Sequence, residues 1–457
     1  MSSIERSVSR LIGSLAVSFV ICASATAKEP ARTPAVKAQP DKAFQKAKRE
    51  YQQRARGKKP AERIAALKLL EEFPTGEAAE LVYVTLLDDK TDEVRRAAIA
   101  FLAAWRDRDE VTGKLLQRMS ASTQKDGMDI RAAGALEAVS ATENDDVRNQ
   151  IVVYLDETLG TPQANLLLLH TMIDERAARG EPEEILRMLT LFTRARFFDQ
   201  NFGYRRCLVQ GLMQVKDKEG ITQLIELLPR FKGLVQFDVV THLVAATGQN
   251  FGDDAAKWKA WWAANRDGKE PTEKPKILPT GSYGKFGDYY GIPICAKRVV
   301  FVLDTSLSMR GPKIDAAKTE LIRAIKELPK EVFFDVIAFD NTVRVWRPEL
   351  VQATEQLKQM AVNVVIEQPL KFKTCSYDAL EAAFGLEPEA IYFLSDGAPF
   401  GGKIDDPKEI ITAISGWNRV RRISLHSIGV ATNESKVLEQ FMKGLAEGNW
   451  GVFKAVN

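Results

Sequence analysis

The sequence predicts a multidomain chain: an all-helical array over residues 60–265, then a doubly wound, Rossmann-like α/β domain with a mostly parallel sheet over residues 297–457. Three observations predict this. At 457 residues the chain exceeds one ordinary core, at about 150 residues per domain. Apolar residues recur at helical spacing through the first half. From Lys297 the period changes, and continuous apolar runs begin to alternate with amphipathic ones, the pattern of parallel strands separated by covering helices.

In the helical half, RIAALKLLEEF places Ile64, Leu67, Leu70 and Phe73 on one face, and Pro74-Thr75-Gly76 ends the run. A second helix begins near Ala78. A third opens at Asp92-Glu93-Val94-Arg95-Arg96 and continues through Ile99, Leu102 and Trp105. Val94-Arg95 followed by Ala97-Ala98 recurs as Ile130-Arg131 followed by Ala132-Ala133. Paired short helices with an acidic turn, an Arg and small residues on the next helix resemble HEAT-type α-solenoid repeats. An irregular helical domain is the alternative. Trp258, Trp261 and Trp262, near the end of the array, suit a cap over the apolar face that a last repeat would leave exposed.

The flanks divide the rest. Residues 1–27 have a basic start (Arg6, Arg10), an apolar run from Leu11 to Cys22, and Ala25-Thr26-Ala27, which is the layout of a cleaved export signal. An uncleaved anchor is the alternative, although the run is shorter than the ~20 residues that span a bilayer. Residues 28–59 form a basic leader, and residues 266–296 a Pro-, Gly- and Lys-rich linker. The expectation is an exported protein, periplasmic or secreted, with no stable membrane insertion after signal cleavage.

Composition excludes more than it assigns. A net charge of +3 over 64 basic and 61 acidic side chains gives no basic face for nucleic acid. Three histidines lie far apart, and Cys207, Cys295 and Cys375 remain beyond the leader, so a zinc site of His and Cys has no foundation.

In the α/β part, RVVFVLD (Arg298–Asp304) reads as a strand buried on both faces. Further strands fall at Val332–Phe339, Val343–Trp346, Ile391–Ser395, Ile423–Val430 and Gly451–Val456. Helices fall at Lys313–Leu328, Glu355–Val362, Tyr377–Phe384, Pro407–Trp417 and Ser435–Glu447. Ligands of such sheets bind at the carboxyl ends of the strands. There the sequence places Asp304-Thr305-Ser306-Leu307-Ser308, Thr374 and Ser395-Asp396-Gly397. All the candidate donors are hard oxygens, which suits Mg²⁺ or Mn²⁺.

These residues resemble the metal-ion-dependent adhesion site (MIDAS) of von Willebrand factor A domains. The Asp-x-Ser-x-Ser pattern falls on Asp304, Ser306 and Ser308, the loop threonine on Thr374, and the second aspartate on Asp396. Lys313, Ala317-Lys318 and Tyr377-Asp378-Ala379-Leu380 also fit. The resemblance implies that the serines and threonine contact the metal, that the aspartates act largely through bound water, and that an open position takes an Asp or Glu of a protein partner. Two departures stand out: Leu307 where the family usually has Gly, and Phe372-Lys373 where it usually has two glycines. Each hydroxyl alone could be a helix cap.

The expected function is therefore adhesion or scaffolding rather than catalysis, with the helical repeats as a second interaction surface. A scaffold working through the solenoid, with a degenerate metal site, is the alternative. An unrecognised hydrolase is the remote one. Ser306 stands where an aspartyl-phosphatase needs a second Asp, and neither a Walker loop nor Gly-x-Ser-x-Gly is present.

Overall fold

The computed structural model describes residues 42–121, 130–140, 166–179, 189–190, 192–195, 197–215, 218–267, 286–431 and 435–456, with isolated positions between 142 and 149. The expected signal and residues 28–41 of the leader lie outside the described residues, while Lys42–Arg54, expected as leader, form a helix. The chain divides after Lys46. Before that point only the opening of helix α1 (Lys42–Arg54) is described, and the elements that carry the fold belong to the unit formed by residues 47–457. No described helix is long and apolar enough to cross a membrane.

The helical part comprises α2 (Pro60–Ala66), α3 (Gly76–Thr85), α4 (Asp92–Ala103), α5 (Asp109–Ser120), α6 (Ile130–Ser140), α7 (Leu166–Arg179), α8 (Phe202–Gln214), α9 (Lys218–Leu227), α10 (Gly233–Thr247) and α11 (Ala255–Asn265). Local chemistry sets their starts. Thr75 accepts from the Ala78 amide at 3.2 Å, Asn201 from Tyr204 at 2.8 Å and Asp254 from Lys257 at 3.0 Å, each satisfying an orphan donor of a first turn. Packing runs between near neighbours in sequence: α3 on α5, α4 on α6, α6 on α7, α7 on α8, and α9 on α11. Trp258 of α11 is fully buried and donates to the Gly252 carbonyl at 2.8 Å.

The end of the segment expected as linker differs from expectation. Asp288–Tyr289 (β1) and Ile292–Pro293 (β2) form a small antiparallel hairpin. Tyr289, Ile292, Ile294, Cys295 and Ala296 are buried in the core of the α/β domain. Tyr290 and Gly291 make the turn, Pro293 lies in β2, and the apolar residues pack. Residues 268–285 lie outside the described residues.

The strands of the α/β sheet are β3 (Arg298–Asp304), β4 (Phe333–Phe339), β5 (Val343–Val345), β6 (Val351–Gln352), β7 (Ala390–Ser395), β8 (Ser424–Val430) and β9 (Phe453–Val456). They form one seven-stranded sheet of order β5-β4-β3-β7-β8-β9, with β6 also paired to β4. Strands β4, β3, β7, β8 and β9 run parallel, while β5 and β6 run antiparallel to β4. On β3, Val299, Phe301 and Leu303 face a core shared with Ile314, Leu321 and Ile325 of α12 (Pro312–Glu327) and Val365 of α13 (Glu355–Glu367). Val300 and Val302 face the other core, with Leu380 and Phe384 of α14 (Ser376–Gly385), Ile414 of α15 (Pro407–Arg421) and Phe441 of α16 (Lys436–Glu447). This two-sided burial is why the strand reads as an unbroken apolar run.

Helices α7, α8 and α10 dock against the amino ends of the strands. Arg206 of α8 donates to the Arg422 carbonyl at 2.6 Å and to Ser424 Oγ at 3.0 Å. Arg422 in turn reaches Asp174 and, at 2.9 Å, Gln210. Just before β7, Glu389 accepts from the Lys297 amide at 2.8 Å, and Leu234 of α10 joins the α/β core. At Gly203 a Cβ would lie 2.1 Å from the Val420 carbonyl oxygen, so only glycine permits this approach. The helices thus occupy one pole of the sheet and leave the carboxyl ends of the strands at the other.

Candidate functional site

Strand order reverses between β3 and β7, since the chain leaves β3 toward β4 on one side and later returns to its other side as β7. A crevice forms at the carboxyl ends of two strands whose connections diverge. Asp304 closes β3, and Asp396 follows Ser395, the last residue of β7.

The five residues singled out from the sequence come together here. The Asp304 carboxylate is fully buried; one oxygen accepts from the Ser306 amide at 2.7 Å and the other from Ser395 Oγ at 2.5 Å. Ser306 Oγ and Ser308 Oγ lie 2.8 Å apart, and Ser308 Oγ donates to Asp396 Oδ1 at 2.7 Å. Thr374 belongs to the same cluster: a Cβ built on Gly397 would sit 3.6 Å from Thr374 Oγ1 and 3.7 Å from Ser308 Oγ. Gly397 therefore keeps open a space bordered by both hydroxyls.

Burial pushes the Asp304 carboxyl up to about 7; hydrogen bonds from Ser395 and Ser306 oppose the shift, and the Asp396 charge adds to it. A buried carboxylate so placed gains from a nearby cation. Among the described residues no three His, Cys, Asp or Glu side chains gather as a metal cluster. The donors are instead three hydroxyls and two carboxylates, a set that fits a hard, partly hydrated dication and no soft one.

Other participants lie outside the five. Lys313, on the first turn of α12, donates to Asp396 Oδ2 at 2.8 Å. It is legible as part of a familiar flank, but its contact depends on how α12 packs beside β7. Thr305, between two candidate ligands, turns away: its hydroxyl donates to the Phe339 carbonyl at 2.9 Å and receives the Arg344 guanidinium at 2.8 Å. Arg344 also pairs with buried Asp340 at 2.8 Å, fixing the floor of the loop.

The two departures from the family pattern have distinct consequences. Leu307 is half-buried in the short turn Leu307–Met309. Lys373 takes a left-handed φ of 69°, a conformation that costs an L side chain energy and suits glycine. Its side chain lies over Gly401, where a Cβ would stand 2.9 Å from Lys373 Cδ. The rim is tied down by main-chain bonds between Thr374 and Phe400 at 3.1 and 3.0 Å, and from Lys371 to the Thr305 carbonyl at 3.1 Å.

A doubly wound sheet with a hydroxyl–carboxylate cluster at its switch point defines the class of this α/β domain. Comparison with known proteins places it: residues 297–454 match the von Willebrand factor type A domain, and this part of the chain is a domain of that family. The chain is 37% identical over 103 residues to inter-alpha-trypsin inhibitor heavy chain H3 of Pongo abelii, a match covering 22% of this chain and 12% of that protein. It is 26% identical over 195 residues to the Bos taurus H3 chain, covering 39% of this chain and 21% of that one. The chain thus spans only about a fifth or less of the length of these curated relatives. Among solved structures, a von Willebrand factor type A protein from Catenulispora acidiphila aligns over 36% of this chain and 40% of its own, with 22% identity and a TM-score of 0.31.

Proposed function

We propose that the protein is an exported adhesion or scaffold protein that engages an Asp or Glu of a protein partner through a Mg²⁺ or Mn²⁺ ion held by Ser306, Ser308 and Thr374. Asp304 and Asp396 act through bound water, and the helical array offers a second surface. The observation that carries this reading is the chain of contacts from Ser306 through Ser308 to Asp396, with Thr374 across Gly397. Hydroxyl donors neutralise little of a dication's charge, so an incoming carboxylate is strongly attracted.

The test is calorimetry of the full chain with Mg²⁺ and with Mn²⁺, followed by an acidic peptide. Saturable metal binding is expected, weakened about 10–100-fold by Ser306→Ala or Asp396→Ala, with peptide binding abolished by EDTA. A second reading rests on Lys313, whose ammonium already occupies Asp396 Oδ2: the lysine replaces the metal, and the protein works as a scaffold through its helices. Absence of both metal heat and metal-induced stabilisation would favour that reading.

A further inference from the structure

The two most exposed large hydrophobic side chains among the described residues are Phe372 and Phe400, at 70% and 60%. Both belong to the rim of the crevice. Phe400 is joined to Thr374 by two main-chain hydrogen bonds, and Phe372 lies two residues before it. Isolated exposed apolar residues need no explanation, but two phenylalanines flanking one candidate ligand keep aromatic surface in water where a partner would approach. Their backbone is held in place, so little ordering entropy is lost when they are covered.

Two cations stand beside Phe372 on its own loop. Lys371 and Lys373 are exposed on the same loop. The acidic side chains nearby are already engaged: Asp378 and Asp405 accept from the amides of Lys403 and Gly401, and Glu381 pairs with Lys403. Asp396 is held by Ser308 and Lys313.

From this juxtaposition of an aromatic pair, two exposed lysines and the oxygen-lined crevice, we infer that the rim selects a protein segment with a large apolar or aromatic side chain within a residue or two of the metal-bound carboxylate, and a second acidic residue beside it. The apolar side chain covers Phe372 and Phe400, and the second acid meets Lys371 and Lys373. This rests on the metal reading for the first carboxylate only. The aromatic contact is independent of it.

The experiment is selection of displayed random peptides on the full chain in Mg²⁺, with each enriched peptide then synthesised and titrated against variants. Enriched sequences are expected to pair an acid with a neighbouring aromatic or large aliphatic residue and to carry a further acid. Phe372→Ser/Phe400→Ser should weaken such peptides by about tenfold or more while leaving metal heat intact. Lys371→Ser/Lys373→Gly should remove the preference for the second acid.

Enriched acidic peptides without an apolar neighbour, or indifference to the Phe variants, would overturn the rim proposal and leave the metal reading standing. Peptides that need both phenylalanines yet bind equally in EDTA and to Ser306→Ala would sink the metal reading and keep the rim. No enrichment over an unrelated protein overturns the rim, as does loss of self-association in the Phe variants, which would make this face a contact between copies. Equal binding to phosphatidylglycerol vesicles in EDTA would assign the face to lipid instead.

Discussion

Arg206 donates through one nitrogen to the Arg422 carbonyl at 2.6 Å, so a helix of the array is fastened to the turn that opens β8. The same guanidinium holds Asp238 at 2.8 Å, with the two side chains 5% and 19% exposed. Arg422 answers from the other side through Asp174 and Gln210.

Removing one partner of so buried a pair strands the other. Burial already pushes the Asp238 carboxyl up, and the Arg206 charge is what opposes it. Arg206→Ala is expected to cost about 3–5 kcal/mol in urea unfolding. Proteolysis within residues 268–285, the stretch we propose as the linker, should give two fragments that still co-elute on gel filtration. In Arg206→Ala they should separate. Separation of the wild-type fragments would show that the seam does not hold the halves together.

How far the fold and site could be read depends on where the information sits. Arg298–Asp304 is buried on both faces, so its apolar run is visible in one glance at the sequence. β6, only two residues long, leaves no periodic trace. The hairpin at 288–293 was hidden because Gly287, Gly291 and Pro293 look like linker, and only the packing of Tyr289 and Ile292 marks it as core. The site residues were legible because they sit in the short segments that leave β3 and β7 and lead into α14. The Arg206–Arg422 seam was not, because each arginine looks like an ordinary surface charge until the two parts are placed together.

His426 supplies a pH test. Burial, reinforced by the Arg206 charge, pushes its imidazole down to about 3. In the fold the neutral ring accepts from the Val452 amide at 3.1 Å. The unfolded chain takes up a proton below its ordinary pKa of about 6.5, whereas the folded chain does not until near 3. Stability from this group is therefore complete above about 6.5 and declines as pH falls toward 3. Relative to His426→Asn, the wild type should lose about 2 kcal/mol between pH 7.5 and pH 5, measured by urea unfolding. Parallel pH profiles for the two proteins would refute the assignment.

Lys373→Gly separates charge from conformation. Glycine relieves the left-handed backbone, worth about 1–2 kcal/mol, but gains unfolded-state freedom of about 0.5–1 kcal/mol. Stability in EDTA should therefore rise by no more than about 1.5 kcal/mol. Mg²⁺ affinity should rise several-fold, because a cation next to Thr374 has gone. A large gain in stability with no change in affinity would mean that strain, not charge, is what the lysine imposes.

Lys313 decides what occupies the crevice when no metal is bound. Its ammonium, one-third exposed, lies 2.8 Å from Asp396 Oδ2, while Ser308 takes the other oxygen. A dication entering between Ser306, Ser308 and Thr374 meets an existing positive charge on the same carboxylate. Removing that charge should strengthen Mg²⁺ binding by about tenfold, since like charges a few ångströms apart in a partly solvated site repel by about 1–2 kcal/mol. It should also lower stability in EDTA, because Asp396 then faces buried Asp304 with no counter-ion. Lys313→Met keeps the aliphatic stem on α12 and removes only the charge, so melting curves with and without Mg²⁺ read both effects. The expected result is a lower melting temperature in EDTA and a larger rise on adding Mg²⁺ than in the wild type. If Lys313→Met melts lower and Mg²⁺ restores nothing, the lysine is the permanent occupant of the site, and the metal-dependent function falls with it.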